Sequence, residues 1–180
     1  PGNGQIAPEP ESVEHILQKG SRIMHPIVSQ RVRSLRKIYR NRFRMRLRHW
    51  LLHHQREIVF DKCSWMGVRA WKNPLDAWIY QEIIHEVAPG VILEIGSAHG
   101  GSTLYFAHLL DLMGNGTVVS VDIDRSNFHV NHERIILVTG DSSSSETVAK
   151  VTELCQGKTV LIVHDGDHRY EAVLRELRFY

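Results

Sequence analysis

The sequence predicts an α/β domain built on an open, mostly parallel sheet with helices on both faces, and three observations predict it. A short apolar run, Val91-Ile92-Leu93-Glu94-Ile95, passes through a glycine-rich turn into a helical apolar pattern beginning at Ser102. Strand, tight loop and helix in that order form the opening unit of a nucleotide-binding domain. Further strand-like runs at Thr117 to Asp122, Arg134 to Val138 and Thr159 to Val163 alternate with helical segments, as βα units do. Finally, three strand ends carry acids, Glu94, Asp122 and Asp165. Open parallel sheets bind ligands at the carboxyl ends of their strands, so these three acids converge on one edge and mark a site.

At 180 residues, 42% of them hydrophobic, the chain has room for one such domain plus an appendage, but not for two full domains. The division expected is a basic helical extension over 1–59 and the α/β domain over 60–180. The net charge of +2 says little about partners. Cys63 and Cys155 are far apart without metal-type spacing and read as reduced thiols, which fits a cytoplasmic setting. No apolar run reaches the eighteen or so residues of a membrane span, and no signal peptide is visible. The chain starts at Pro1 and stops at Tyr180 within a helical pattern. It therefore reads as a piece of a longer protein, with the last strands of the sheet missing and self-association expected of the longer chain.

Residues 1–10 read as a loose lead, and Ser12 can cap a short helix that Gly20 ends. Between Arg31 and Arg48 lie nine basic residues and no acid, while Val32, Leu35, Tyr39, Phe43, Leu47 and Trp50 recur at three- and four-residue steps. This is a basic amphipathic helix. It can pack its stripe on the domain or a neighbouring subunit with the arginines solvated, or lie on an anionic membrane through residues 31–50. Nucleic acid is the weakest of the three readings, because no recognisable module accompanies the charge. Trp65, Trp71 and Trp78, close together around Gly67 and Pro74, suggest an ordered loop packed over a site. Asn73 can cap, and Pro74 can start, a helix over Leu75 to Val87 that Pro89-Gly90 ends. Helices are also expected over Ser102 to Met113 and Glu146 to Gln156, with the serines from Ser142 to Ser145 capping the latter.

The glycine spacing bears on the ligand. Gly96 closes the strand and Gly100-Gly101 open the helix, so that amides of its first turn can face a bound group. The pattern Glu94-x-Gly96-x-x-x-Gly100-Gly101 departs from the dinucleotide fingerprint, and a carboxylate there would repel a pyrophosphate. It suits S-adenosylmethionine, which has no phosphate and carries two positive groups. An NAD-dependent oxidoreductase or epimerase is disfavoured on the same ground, and a non-catalytic membrane-associated module is the third reading. Asp122, at the second strand tip, is placed to accept from ribose hydroxyls, with Asp124 as the fallback. Asp141 and Ser142 could border the adenine. In His164-Asp165-Gly166-Asp167-His168, oxygen ligands suit a hard ion such as magnesium, bound by Asp165 or Asp167. His168 is placed to take a proton from a substrate hydroxyl. His99 and His164 are weaker candidates for that base, since each can simply donate to a backbone carbonyl.

Four segments together carry a resemblance: Lys72 to Glu82, Glu94 to Ser102, Val121 to Asp124 and Val163 to His168. Over roughly Phe60 to Tyr180 the chain resembles the cephalosporin hydroxylase and rhamnosyl O-methyltransferase family. The resemblance implies a Rossmann-like class I S-adenosylmethionine-dependent methyltransferase with a magnesium site, acting on hydroxyls of sugars, glycolipids or antibiotic intermediates. It implies Glu94, Gly96, Ser97 and Ser102 around the methionine part of the cofactor, with Asp122 at the ribose and Asp141 and Ser142 near the adenine. It also implies Asp165 or Asp167 at the metal and His168 as base. The family completes its metal site with an acidic pair on the next strand, beyond Tyr180.

Overall fold

The computed structural model describes Ser34 and residues 46–180. The helix expected from Ser12 and most of the basic stripe fall outside the described residues. The chain divides into two compact units, Pro1–Trp50 and Leu51–Tyr180. Of the first, Ser34 is helical and exposed, and residues 47–50 enter helix α1 (Leu47–His53), which begins with one exposed leucine.

In the second unit a π-helical segment (His54–Val59) and one turn of helix, α2 (Phe60–Lys62), lead to a two-stranded antiparallel hairpin, β1 (Ser64–Trp65) and β2 (Val68–Arg69). Both turn residues, Met66 at φ 48° and Gly67 at φ 87°, are left-handed, as the right-handed twist of a tight hairpin demands. Helix α3 (Pro74–Val87) starts as its sequence indicates: Asn73 Oδ1 accepts the Leu75 amide at 3.0 Å and Pro74 occupies the first turn.

The sheet contains β3 (Val91–Ile95), β4 (Thr117–Asp122), β5 (Ile135–Thr139) and β6 (Val160–His164), all parallel, in the order β5-β4-β3-β6. The chain steps outward from β3 to β5 and then crosses back to lay β6 on the other side of β3. This reversal opens a crevice between β3 and β6 at their carboxyl ends. Ile95 pairs with Val121 on one side and His164 on the other, so the strand tips are level.

Each strand buries alternate residues against opposite helical layers, which is why its sequence reads as a continuous apolar run. Ile92, Val118 and Val163 pack with Ile84 of α3 and with Phe106, Ala107 and Leu110 of α4 (Gly101–Met113). Val91, Leu93, Ile95, Val119, Val121 and Val138 pack with Val151 of α5 (Ser145–Cys155), joined by Tyr180 just after α6 (Tyr170–Phe179). Each fully buried Leu, Ile or Phe of these layers contributes about 1.5–3 kcal/mol. Observed boundaries lie within a residue or so of expectation. The cap of α5 is Ser144, whose Oγ accepts the Thr147 amide at 3.2 Å.

The three tryptophans take separate positions. The hairpin turns Trp65 onto α4, where it meets Tyr105 at 4.9 Å and donates to His108 Nδ1 at 2.9 Å, whereas Trp78 stands exposed on α3. Trp71, in the connection between them, alone of the three faces the cleft described below. Both cysteines are free thiols. Among the described residues no helix is long and apolar enough to cross a membrane.

Candidate active site

The carboxyl ends of the strands border an open cleft of about 810 Å³. Its lining includes Gly96 to His99, Ser102, Asp122 to Asp124, Gly140 to Ser143 and Asp165 to Arg169. All the acidic and histidine candidates of the sequence lie on or directly behind this surface, with one correction.

Glu94 does not reach the cleft. It is 0% exposed and turned toward α4, where the hydroxyls of Ser102 and Thr103 donate to its two carboxylate oxygens. Burial pushes its pKa up to about 7, against the hydrogen bonds of Ser102 and Thr103 and the charge of Lys72, which lower it. Its work is to anchor the first turn of α4, with Ser102 as the member of the set that lines the cleft.

The glycines are also explained differently. A Cβ on Gly96, at φ +85°, would lie 2.5 Å from the Asp165 carbonyl oxygen and the Gly166 Cα. One on Gly100 would lie 2.7 Å from the Phe128 ring, and one on Gly101 2.3 Å from the Arg69 carbonyl oxygen. The chain itself fills these places. Gly100 is buried and is not part of the cleft lining, and the Phe128 and Val130 side chains pack where its Cβ would lie.

Asp122 reaches across from β4 to the β3 loop. Its Oδ2 accepts the amides of Ser97 at 2.8 Å and Ala98 at 2.9 Å and the Ser97 hydroxyl at 3.2 Å, and Oδ1 accepts the Asp124 amide at 3.1 Å. Partial burial raises its pKa, but these bonds outweigh it and hold the group below the usual carboxylate range. Oδ2 is filled by the loop, so Oδ1 is the oxygen with acceptor capacity left for a ribose hydroxyl. The fallback, Asp124, has both oxygens engaged by Ser126.

Arg125, which the sequence reading passed over, locks this corner. It donates to Ser97 Oγ at 2.6 Å, to the Ser120 carbonyl at 2.6 Å and to the Val138 carbonyl at 3.0 Å, and lies over the Phe128 ring at 5.0 Å. It thereby ties together the tips of β3, β4 and β5.

At the tip of β5, Asp141 Oδ1 accepts the Ser143 amide at 2.8 Å and its hydroxyl at 2.7 Å, and these bonds lower its pKa. Ser142 donates its hydroxyl to Glu176 Oε1, and its carbonyl accepts from Tyr180 Oη at 2.6 Å. Glu176 is buried, lines the cleft and pairs through Oε2 with His164 Nδ1 at 3.0 Å. His164 thus meets a carboxylate through Nδ1, while its Nε2 is buried without a hydrogen-bond partner. No local pattern announces Glu176, which lies 34 residues beyond Ser142.

Beyond β6, Asp165 pairs through Oδ2 with Lys72, and His168 Nε2 lies 3.7 Å from its Oδ1. Asp167 is gripped by Arg169, whose hydrogen bonds draw its pKa down to about 2. His168 is well exposed, its side chain at 75%. His99 stands edge-on to Trp71 at 5.2 Å. Asp165 and Asp167 are the carboxylates here that could hold a magnesium ion; each is paired with a cation, Lys72 or Arg169, and among the described residues no set of three or more His, Cys, Asp or Glu gathers around them. A cationic ligand such as S-adenosylmethionine suits the cleft, since its lining holds six carboxylates against three arginines and Asp122 Oδ1, with one amide bound, keeps acceptor capacity at the strand tip.

Residues 57–180 match the model of the family described as Rhamnosyl O-methyltransferase/CmcI. The Rhamnosyl O-methyltransferase of Mycobacterium leprae is 32% identical over 126 residues, covering 67% of this chain and 55% of its own. That of Mycobacterium bovis is 29% identical over 127 residues, covering 67% and 52%. The chain therefore spans about half the length of the curated relatives it matches. Among solved structures, the Mg–SAM form of CmcI is 28% identical, with a TM-score of 0.51 over 62% of this chain and 48% of that one. Apo CmcI is likewise 28% identical, with a TM-score of 0.52 over 61% and 47%. With the parallel sheet, its switch-point cleft and a family match running from residue 57 to residue 180, the chain belongs to the Rhamnosyl O-methyltransferase/CmcI family.

Proposed function

We propose that this chain carries the S-adenosylmethionine site of an O-methyltransferase whose acceptor is a hydroxyl of a sugar, glycolipid or antibiotic-type metabolite. The observation that carries the reading is the Asp122 arrangement. A carboxylate at the second strand tip is braced by two loop amides and keeps Oδ1 open to a cleft rich in carboxylates. Such a cleft favours a cationic ligand and opposes a pyrophosphate, which argues against an NAD enzyme. The relatives named Rhamnosyl O-methyltransferase and the Mg–SAM form of CmcI support the same direction.

The bound cofactor supplies an electrophilic methyl on a sulfonium, so the protein has only to align an acceptor oxygen and remove its proton. His168 is the group placed for that. Its Nε2 lies 3.7 Å from Asp165 Oδ1, and in the tautomer with the proton on Nε2 the Nδ1 nitrogen accepts the acceptor's proton as the oxygen–methyl bond forms and the sulfur leaves as a thioether. Ser97, Ser102 and the Gly96 turn form the wall next to the methionine part, and Asp141 and Ser142 the wall next to the adenine. Magnesium enters this reading through the relatives. Asp165 and Asp167 are the carboxylates at the tip of β6 that would face such an ion, and its chemistry would be to acidify the acceptor hydroxyl.

Calorimetric titration of the 180-residue chain with S-adenosylmethionine and with NAD tests the proposal. S-adenosylmethionine should bind the more tightly, and tighter binding of NAD would overturn it.

A further inference from the structure

The basic stripe ahead of the α/β domain has no part in the chemistry of the cleft. From Arg31 to Arg56 the chain holds ten arginines and lysines and no acid; the nearest carboxylates in sequence are Glu14 before it and Glu57 after it. Protein packing, an anionic membrane and a nucleic acid compete for such a segment. Its carboxyl end, described from residue 46, separates them.

Helix α1 (Leu47–His53) contains no buried residue. Leu47, a member of the apolar stripe, is 71% exposed, and Leu51, one turn further along the same face, is 54% exposed, with Leu52 beside it at 53%. Arg46, Arg48 and His49 are exposed around them. The helical run continues without a break through the π-helical segment to Val59, which is buried in the core. A helix joined so directly to a core residue, yet leaving its own leucines to solvent, has an apolar face free for a partner.

Charge then selects the partner. A second copy of the chain would bring the same positive segment to the contact, and with no acid in that segment like charges oppose the pairing. A nucleic acid would satisfy the arginines but not the leucines, since bases are met by aromatic or hydrogen-bonding side chains. A bilayer that contains anionic lipid satisfies both. Its headgroups take the arginines, and its acyl boundary takes the leucines.

We propose that the segment from Arg31 to Leu52 is a peripheral anchor for an anionic membrane surface, with Leu47, Leu51 and Leu52 entering the boundary between headgroups and acyl chains. The segment lies on the bilayer and does not cross it, in keeping with the absence, among the described residues, of a helix long and apolar enough to span one. This anchoring is independent of what the cleft binds.

Co-sedimentation of the 180-residue chain with vesicles tests it, using phosphatidylcholine alone and phosphatidylcholine with about 30% phosphatidylserine. Binding to the anionic vesicles should exceed binding to the neutral ones by about tenfold or more, and should weaken as salt rises. The pair Leu47→Ser and Leu51→Ser should weaken anionic binding about tenfold, as should the pair Arg46→Gln and Arg48→Gln. Arg46→Lys with Arg48→Lys should stay within about twofold of the wild type, because a headgroup layer reads charge and not the guanidinium fork. Thermal unfolding should be unchanged in all three, since every substituted side chain is exposed. Equal binding to both kinds of vesicle, no binding to the anionic kind, or undiminished binding in the serine or glutamine pair would each overturn the proposal. A lowered unfolding midpoint in the serine pair would do so too, by showing that the leucines are packed. So would a wild-type dimer that the serine pair converts to monomer in light scattering, which would assign the leucines to a second copy. Tighter binding of transfer RNA than of anionic vesicles at equal phosphate concentration, unaffected by the serine pair, would assign the segment to nucleic acid.

Discussion

The Oδ2 oxygen of Asp122, at the end of β4, accepts the backbone amide of Ser97, in the loop after β3, at 2.8 Å. Two neighbouring strands are thereby tied across their tips by the same side chain that leaves its other oxygen toward the cleft. Asp122 is structural and ligand-directed at once.

Replacing it should therefore cost both properties. Asp122→Ala leaves the Ser97 and Ala98 amides without their acceptor and should lower stability by about 1–3 kcal/mol in urea denaturation, with a comparable loss in S-adenosylmethionine affinity. Asp122→Asn, which keeps one carbonyl acceptor, should recover part of the stability. Intact stability and affinity in Asp122→Ala would remove the role assigned to it.

His168 should fail in another way. His168→Ala, at an exposed residue with a single weak contact to Asp165, should leave folding and cofactor affinity nearly unchanged. In a methyl-transfer assay it should slow turnover on the order of 10²–10⁴-fold, the range for loss of a general base. A wild-type rate in the variant would assign the proton to another group.

Glu94 gives stability a pH dependence of recognisable sign. Its folded pKa, raised by burial to about 7, lies above the ordinary 4.5, so the folded chain holds a proton that the unfolded chain has lost between those values. Its contribution is complete below about 4.5 and is lost as pH rises through about 7, whereas Asp122, with a depressed pKa, loses its contribution in acid. Glu94→Gln, a neutral isostere, should cancel the first slope. The stability difference between variant and wild type should shift by roughly 2–3 kcal/mol in the variant's favour from pH 4.5 to pH 8. A pH-independent difference in denaturation midpoints would show that Glu94 is ionised throughout.

Gly96→Ala places a methyl within 2.5 Å of the Asp165 carbonyl, at a φ of +85° that side chains rarely adopt. Stability should fall by on the order of 2–3 kcal/mol. The Asp165–Gly166 backbone should also move away from β3, visible as amide shift changes around Asp165 by NMR. Unperturbed shifts there would mean that the loop packs less closely than described.

Elements defined by local rules were legible in the sequence. Asn73-Pro74 announces the start of α3, Gly96 to Gly101 the β3–α4 turn, and the apolar runs the four parallel strands, because capping, left-handed turns and burial on both faces impose residue choices within a few positions. The acids at the strand tips were legible for the same reason, since a strand's end and the site's edge coincide in this architecture.

What the side chains at those tips do was decided by residues distant in sequence. Ser102 and Thr103 turn Glu94 away from the cleft, Arg125 locks three strand tips, and Glu176 takes up Ser142 and His164 from 34 and 12 residues away. Lys72 finds Asp165 across 93 residues, and the hairpin separates Trp71 from the two tryptophans near it in sequence. The sequence by itself determined the βα order, the strand tips and the family. Only the tertiary structure decided which carboxylates stay open to a ligand, because a hydrogen bond or ion pair depends on distance in space, and the crossover to β6 brings together groups that no local pattern relates.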